Sequence, residues 1–204
     1  MNDYDAPRMK RSRFVCAALA AIVLGLFGSI QTAHAQLFTA APNASFVLDL
    51  DSADGNFSLW QANDLTGINT LHARATFVRK GEHRRWAPTF SISASGESDR
   101  AAITFTAAPR SGPLLVEVAL WRNGEKSAEE MFLLPPAFEE PFDIHVEWTE
   151  GGLVTFTVFS RAAQAVSGFE RHQVDLGQAP TSIRITGSTG EVLLDPLQLG
   201  QTTQ

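Results

Sequence analysis

Cysteine is almost absent from this chain: Cys16 is the only one among 204 residues. It lies at the start of an apolar N-terminal run rather than just after it, which argues against a lipid-modified cysteine. Beyond that run no thiol is available for a disulfide, a zinc-thiolate site or a cysteine nucleophile. Residues 36–204 are numerous enough to bury one core without a covalent staple, so packing alone must stabilise the fold.

Basic charge and helical periodicity are also scarce. The formal net charge is −6, which argues against general nucleic-acid binding, because that function needs a basic surface. Only residues 160–169 could form a short helix. The histidines after the apolar run stand singly, without the short spacing that fixes two metal ligands on one face, and no G-x-S-x-G elbow of a serine hydrolase is present.

The first residues have the pattern of a secretory leader. Three cations, Lys10, Arg11 and Arg13, precede an apolar run that extends to about Ile30, and Ala33-His34-Ala35 follows as a small-x-small cleavage site. The run falls short of the roughly 20 apolar residues of a comfortable membrane span. We therefore expect a signal peptide at 1–35, a mature protein that is periplasmic or secreted, and no membrane span after processing.

Short alternating segments fill the remainder. In one of them, Leu71, Ala73 and Phe77 occupy one face while polar side chains occupy the other, as in a half-buried antiparallel strand. About twelve strands are predicted, at 45–50, 57–61, 69–79, 86–94, 101–107, 113–122, 129–134, 142–148, 153–159, 171–176, 181–186 and 191–199. Many short strands without intervening helices indicate an all-β antiparallel β-sandwich. We expect a linker at 36–44, one domain at 45–200 and a disordered tail at 201–204.

One hairpin is specified closely by its pattern. Segment 142–158, FDIHVEWTEGGLVTFTV, places its apolar side chains on one face only if Trp148 lies opposite Val154 and Glu147 opposite Thr155. Three loop residues, Glu150-Gly151-Gly152, then remain, and glycine at the end suits a left-handed backbone.

The order of HARATF, WAPTFSIS, this hairpin and a closing EVLLDPLQLG strand resembles the concanavalin A-like lectin and glucanase superfamily, including its laminin-G-like domains. The resemblance implies a jelly roll of two curved antiparallel sheets whose concave side often meets carbohydrate. Similar glucanases have acidic residues in an E-x-D-x-E arrangement on one strand. Here the corresponding positions are Asp143, His145 and Glu147, and the histidine in the central position disfavours an enzyme.

The polar faces provide the candidate site residues. Two carboxyl groups about 5 to 9.5 Å apart are the requirement for glycoside hydrolysis, which Asp143 and Glu147 could meet, but an ordinary solvated sheet face explains the same pattern. The candidate ligand-binding residues are Asp143, His145, Glu147, Thr155 and Thr157, joined by His72 and Arg74 if their strand enters the same sheet, with Trp86 or Trp121 as a stacking platform.

A second candidate feature is the loop 79–85, RKGEHRR, whose cations could bind anionic polymers or simply form a charged hairpin tip. Asp49, Asp51 and Asp54 precede Gly55 without matching a calcium loop, since positions five and twelve are Ala53 and Trp60. We predict no metal or cofactor from them; a calcium site built from loops distant in sequence is left open.

Three functional hypotheses follow. The first is an exported, non-catalytic module that binds carbohydrate, anionic glycans included. The second is a glycoside hydrolase or polysaccharide lyase that uses Asp143 and Glu147. The third is a cell-envelope structural or adhesion domain with a protein partner.

Overall fold

The computed structural model describes residues 35–80, 87–107, 112–134, 139–160 and 169–202. Within these ranges the chain forms eleven strands and no helix, which confirms the all-β expectation; the candidate helix at 160–169 lies almost wholly outside the described residues. The strands are β1 Ala35–Thr39, β2 Ser45–Asn63, β3 Thr70–Lys80, β4 Thr89–Ser95, β5 Asp99–Thr106, β6 Leu114–Arg122, β7 Glu125–Leu134, β8 Phe142–Trp148, β9 Leu153–Ser160, β10 Phe169–Asp175 and β11 Ser182–Gly200.

Two long strands, β2 and β11, belong to both layers of the fold. They pair antiparallel along most of their length. On the other edge of β11, residues 182–188 pair with β4 and residues 190–200 pair with β3. Sheet I therefore has the order β1-β2-β11-β4-β5-β6-β7, and sheet II has the order β2-β11-β3-β8-β9-β10. Apart from the parallel contact between β1 and β2, every pairing is antiparallel.

The corner between the sheets corrects the predicted strand boundaries. Segments 45–50 and 57–61 are parts of one strand, β2, and segments 181–186 and 191–199 are parts of β11. The turn-like residues between them mark the bend, where Ser52 Oγ donates to the Gly187 carbonyl at 3.1 Å and the Gly55 amide donates to Thr189 Oγ1 at 3.1 Å. Residues typical of turns also suit a strand that bends from one sheet into another.

The core lies between the two sheets and is rich in phenylalanine. Phe90 and Phe105 of sheet I stack with ring centroids 4.7 Å apart. Phe105 also meets Phe142 of sheet II at 5.1 Å, and Phe90 meets Phe77 of sheet II at 5.4 Å. All four side chains are at most 2% exposed. These contacts show that the apolar faces of the two sheets pack on each other.

Regular structure continues at both ends of the predicted domain. β1 begins at the last residue of the predicted signal peptide and extends into the predicted linker, and Phe38 on it contacts Phe46 and Trp60 at 5.5 and 5.9 Å. Parallel pairing with β2 and these aromatic contacts stabilise the segment. In the predicted tail, the Thr202 amide donates to Asn69 Oδ1 at 2.7 Å. In the part of the chain that the structure describes, no helix has the length and apolar character needed to span a membrane.

The predicted hairpin is confirmed in register. Trp148 lies opposite Val154 and Glu147 lies opposite Thr155. Gly152 has a φ of 88°, the left-handed conformation that its position requires. The polar side chains of the hairpin therefore project from the outer face of sheet II. On the other face of its first strand, the side chains of Phe142, Ile144, Val146 and Trp148 are buried.

Candidate functional site

Most of the predicted ligand-binding residues come together on the outer face of sheet II. β3 pairs with β8, so that His72 lies opposite His145 and Arg74 opposite Asp143. β9 continues these rows, with Thr155 opposite Glu147 and Thr157 opposite His145. The condition attached to His72 and Arg74, that their strand join the same sheet, is met. Seven predicted ligand-binding residues therefore lie on this face: Asp143, His145, Glu147, Thr155, Thr157, His72 and Arg74.

Charges on this face are arranged in opposite pairs. Arg74 Nε donates to Asp143 Oδ1 at 3.0 Å, and His72 Nε2 lies 3.8 Å from the same oxygen. His145 Nε2 is 3.7 Å from Glu147 Oε1. The rings of His72 and His145 meet edge to face, with centroids 6.2 Å apart. The Asp143 carboxylate is therefore already engaged by Arg74, whereas the ion pair of Glu147 among the described residues is with the His145 imidazole at longer range.

His145 provides a test of this electrostatic arrangement. Burial lowers the pKa of His145 from its ordinary value of 6.5, while the Glu147 carboxylate raises it and His72 lowers it. In an NMR titration we expect the imidazole to protonate below pH 6.5, with the pKa falling further in Glu147→Gln and rising in His72→Gln. The folded state binds this proton less readily than the unfolded chain does. The contribution of His145 to the free energy of unfolding is therefore complete above its unfolded-state pKa and declines as the pH falls toward its folded-state pKa. A His145 pKa at or above the ordinary value would contradict the burial of its imidazole in the structure.

A broad groove opens at one end of this face, with a volume of about 1210 Å³. The row formed by Glu147, Thr155 and Gln173 across β8, β9 and β10 lines it, together with Arg171. Its walls are loops: residues 64–69 before β3, 149–151 in the hairpin, and 179–181 before β11. A smaller depression of about 280 Å³ adjoins it, lined by Ser45, Thr70, His72 and Gln198 among others.

Some of the predicted residues line one of the two depressions, and the others do not. Glu147 and Thr155 line the large groove and His72 lines the small one. Asp143, His145, Thr157 and Arg74 lie on the same face but line neither depression. The two carboxyl groups of the hydrolase hypothesis, Asp143 and Glu147, are thus not both in the groove.

Two groove residues, Arg171 and Gln173, escaped sequence reasoning. They lie on β10, which pairs with β9 so that Gln173 is opposite Thr155 and Arg171 is opposite Thr157. Gln173 Nε2 donates to Thr155 Oγ1 at 3.3 Å. The alternation of RHQVD was the available signal, because it separates Arg171 and Gln173 from His172 and Val174. That alternation could not say which sheet the strand joins.

Trp121, one of the two predicted stacking platforms, does not lie on this face. The structure corrects the prediction that Trp121 stacks on a ligand at this site. Because β6 pairs with β5 and β7, the Trp121 indole lies on the outer face of sheet I. The Arg100 guanidinium covers that ring at 4.0 Å from its centroid. Trp86 lies outside the described residues, as does most of the cationic loop 79–85. Arg79, its first member, forms ion pairs with Asp51 and Glu191.

The acidic segment around Asp49 is strand rather than loop. Asp49 and Asp51 lie within β2, and Asp51 is bound by Arg79. Burial and the neighbouring carboxylates of Glu191 and Asp51 raise the pKa of Asp49. Among the described residues, no group of three or more His, Cys, Asp or Glu side chains is placed to hold a metal ion.

Comparisons with known proteins agree on the fold. No family model and no curated protein matches the sequence. The structure of Crh5 transglycosylase in complex with NAG is similar with a TM-score of 0.50, at 9% identity over 81% of this chain and 77% of that one. The Caenorhabditis elegans galectin LEC-6 has a TM-score of 0.44, at 11% identity over 80% of this chain and 94% of the galectin.

A peptidase is among the similar structures. Scytalido-glutamic peptidase, with a peptide-based transition state analog, has a TM-score of 0.46 at 10% identity over 72% of this chain. This chain covers 64% of the peptidase, less than two thirds of its length. At identities of 9 to 11% such similarities bear on the fold and not on function. The strand pairing and the packed apolar faces of the two sheets make the chain an antiparallel β-sandwich of the jelly-roll type.

Proposed function

We propose that the protein is exported and binds a glycan on the outer face of sheet II without cleaving it. The observation that supports this best is the groove itself, which is open, about 1210 Å³ in volume, and lined by the row of Glu147, Thr155 and Gln173. Its volume exceeds the roughly 300 to 1,000 Å³ of small-ligand pockets, which suits an extended ligand such as an oligosaccharide. The bound sugar would lie against three adjacent strands rather than on a single loop.

The lining chemistry suits sugar hydroxyls. A hydroxyl both donates and accepts, and the groove offers a carboxylate acceptor at Glu147, an amide with both roles at Gln173, and a guanidinium donor at Arg171. Charged partners form the stronger hydrogen bonds. Leu153, 37% exposed, also lines the groove and provides an apolar contact for a ring face. The transglycosylase structure with NAG is an example of this fold with a sugar present.

Binding without turnover is favoured by the position of Asp143. Cleavage of a glycosidic bond by paired carboxyl groups needs both to flank that bond. Asp143 accepts a hydrogen bond from Arg74 at 3.0 Å and does not line the groove that Glu147 lines. A sugar in the groove would therefore meet Glu147 without Asp143. The other carboxyl groups that line the groove, Asp64 and Glu150, lie in its loop walls, where Asp64 accepts hydrogen bonds from Thr66.

A glycan array followed by calorimetry tests the proposal. We expect binding of at least one glycan, and an affinity loss of about 10- to 100-fold in Arg171→Gln and in Glu147→Gln, because each removes a charged hydrogen-bonding group. Glu125→Gln and Arg79→Gln are matched controls and should leave the affinity unchanged, because Glu125 lies in sheet I and Arg79 lies near the end of β3 remote from the groove.

Two results would contradict the proposal. One is the absence of binding to every neutral and acidic glycan on the array. The other is release of new reducing ends or unsaturated products from a polysaccharide panel, lost in Glu147→Gln, which would favour the hydrolase or lyase instead.

A further inference from the structure

Two arginines share the outer face of sheet I, on the opposite side of the sandwich from the groove. Arg184 of β11 lies opposite Ser93 of β4, and Arg100 of β5 lies opposite Ser95. The arginines are two strands apart and offset by two residues, so their Cα atoms are about 12 Å apart. The two guanidinium groups extend away from each other, Arg184 toward Gln61 of β2 and Arg100 toward Trp121 of β6. A ligand that meets both must therefore extend across the strands between them.

Neither guanidinium is neutralised by a carboxylate among the described residues. Arg100 Nε is buried without a hydrogen-bond partner there, and Arg184 Nη2 donates to the neutral amide oxygen of Gln61 at 3.3 Å. By contrast, Arg74, Arg79 and Arg122 each form an ion pair. An unpaired cation with a buried nitrogen is costly unless an anion completes it.

The nearby carboxylates are engaged elsewhere. Glu117 and Glu129 accept hydrogen bonds from Lys126 Nζ at 2.6 and 3.0 Å. Asp99 accepts one from Arg122 at 2.8 Å. The positive charge of Arg100 and Arg184 is therefore left for a ligand, although the whole chain is acidic.

The Arg100 side chain is held in place. Its guanidinium lies 4.0 Å from the centroid of the Trp121 ring, within the range of a cation–π contact. Burial lowers the pKa of Arg100, and the charge of Arg184 lowers it further. A bound anion would oppose both effects, because a nearby negative charge favours the charged guanidinium.

We propose that Arg100 and Arg184 bind carboxylate or sulfate groups of an acidic glycan that extends across β11, β4 and β5. The Ser93 hydroxyl between them is buried and donates to the Arg184 carbonyl at 3.5 Å, so it belongs to the sheet rather than to the ligand site. Forked guanidinium donors match such planar or tetrahedral anions. The adjacent row of the sheet consists of Thr104, Ser91 and Thr186, and these hydroxyls suit the uncharged part of a sugar. A nucleic acid fits less well, because two cations beside Glu117 and Glu129 neutralise few phosphates.

This site is independent of the proposed function, since it lies on the other sheet. The test uses NMR of the indole N–H of Trp121, assigned by Trp121→Phe, while the protein is titrated with trigalacturonate, dextran sulfate, neutral dextran or sodium sulfate. We expect a shift of that resonance with one or both acidic saccharides, none with neutral dextran, and a weaker response to free sulfate.

Variants separate the site from general charge effects. Arg100→Gln and Arg184→Gln should each weaken acidic-saccharide binding by about tenfold or more. Arg79→Gln also removes one cation and should not, because Arg79 is paired with Asp51 and Glu191 away from this face. The Trp121 resonance reports on sheet I, so this result does not depend on whether the groove of sheet II binds a glycan. If Arg100→Gln melts early, the exposed Arg184→Gln decides the outcome. The inference is overturned by an unmoved Trp121 resonance, by binding of free sulfate as strong as that of either acidic saccharide, or by an equal loss in Arg79→Gln.

Discussion

Replacing Phe105 with alanine is expected to lower the free energy of unfolding by about 3 to 5 kcal/mol, the usual cost of removing a buried phenylalanine. Phe105 is 0% exposed. Its ring stacks on Phe90 at 4.7 Å within sheet I and meets Phe142 of sheet II at 5.1 Å. The substitution therefore removes contacts in both layers and leaves a cavity at the centre of the sandwich.

Urea unfolding followed by fluorescence measures this effect. Phe57→Ala is the matched control, because that side chain is 51% exposed and surface changes are usually within about 0.5 kcal/mol. Were Phe105→Ala to cost no more than Phe57→Ala, the two sheets could not face each other through this aromatic cluster.

Replacing Gly152 with alanine is expected to destabilise the fold by about 2 to 5 kcal/mol, from backbone strain and overpacking together. Its φ of 88° is unfavourable for any residue with a Cβ. An added Cβ would also lie 2.2 Å from the backbone nitrogen of Gln178 and 2.5 Å from its carbonyl oxygen. Backbone atoms cannot move aside as the end of a flexible side chain can.

The neighbouring glycine provides the control. At Gly151 no positive φ is required, and the nearest atom to an added Cβ is Thr149 Oγ1 at 3.7 Å, an ordinary contact. Thermal unfolding should therefore leave Gly151→Ala close to the parent protein. Equal melting temperatures for both variants would show that the hairpin turn does not pack against the loop before β11.

The Gly152 contact also concerns the groove. The Leu176 amide donates to the Gly152 carbonyl at 2.9 Å, which joins the β8–β9 turn to the end of β10. Residues of that turn and of the loop before β11 both line the groove. Separating them would change the walls of the proposed glycan site, while the Glu147-Thr155-Gln173 row on the strands would keep its register.

Local pattern was sufficient for the hairpin and for the faces. The apolar alternation of segment 142–158 admits one register, because a slip of one residue would turn every apolar side chain outward. The observed pairs, Trp148 with Val154 and Glu147 with Thr155, follow that rule. The same alternation in β3 correctly placed His72 and Arg74 on a polar face.

Turn-like composition was misleading at the corner. The residues DSADGN suggest a break between two strands, yet β2 runs through them because β11 lies alongside with its own irregularity between Ser188 and Gly190. Whether such residues end a strand or bend it depends on a partner that is distant along the chain. Local propensity contains no information on that partner.

Sequence alone thus determined that this chain is all β and which side chains of its alternating strands face the core, since alternation is a property of neighbouring residues. Tertiary structure decided the rest. Pairing of β10 with β9 brought Arg171 and Gln173 beside Glu147 and Thr155, and pairing of β6 with β5 placed Trp121 beside Arg100 instead. These choices depend on contacts between segments far apart in the chain, where the free energy is set by the packing of whole sheets.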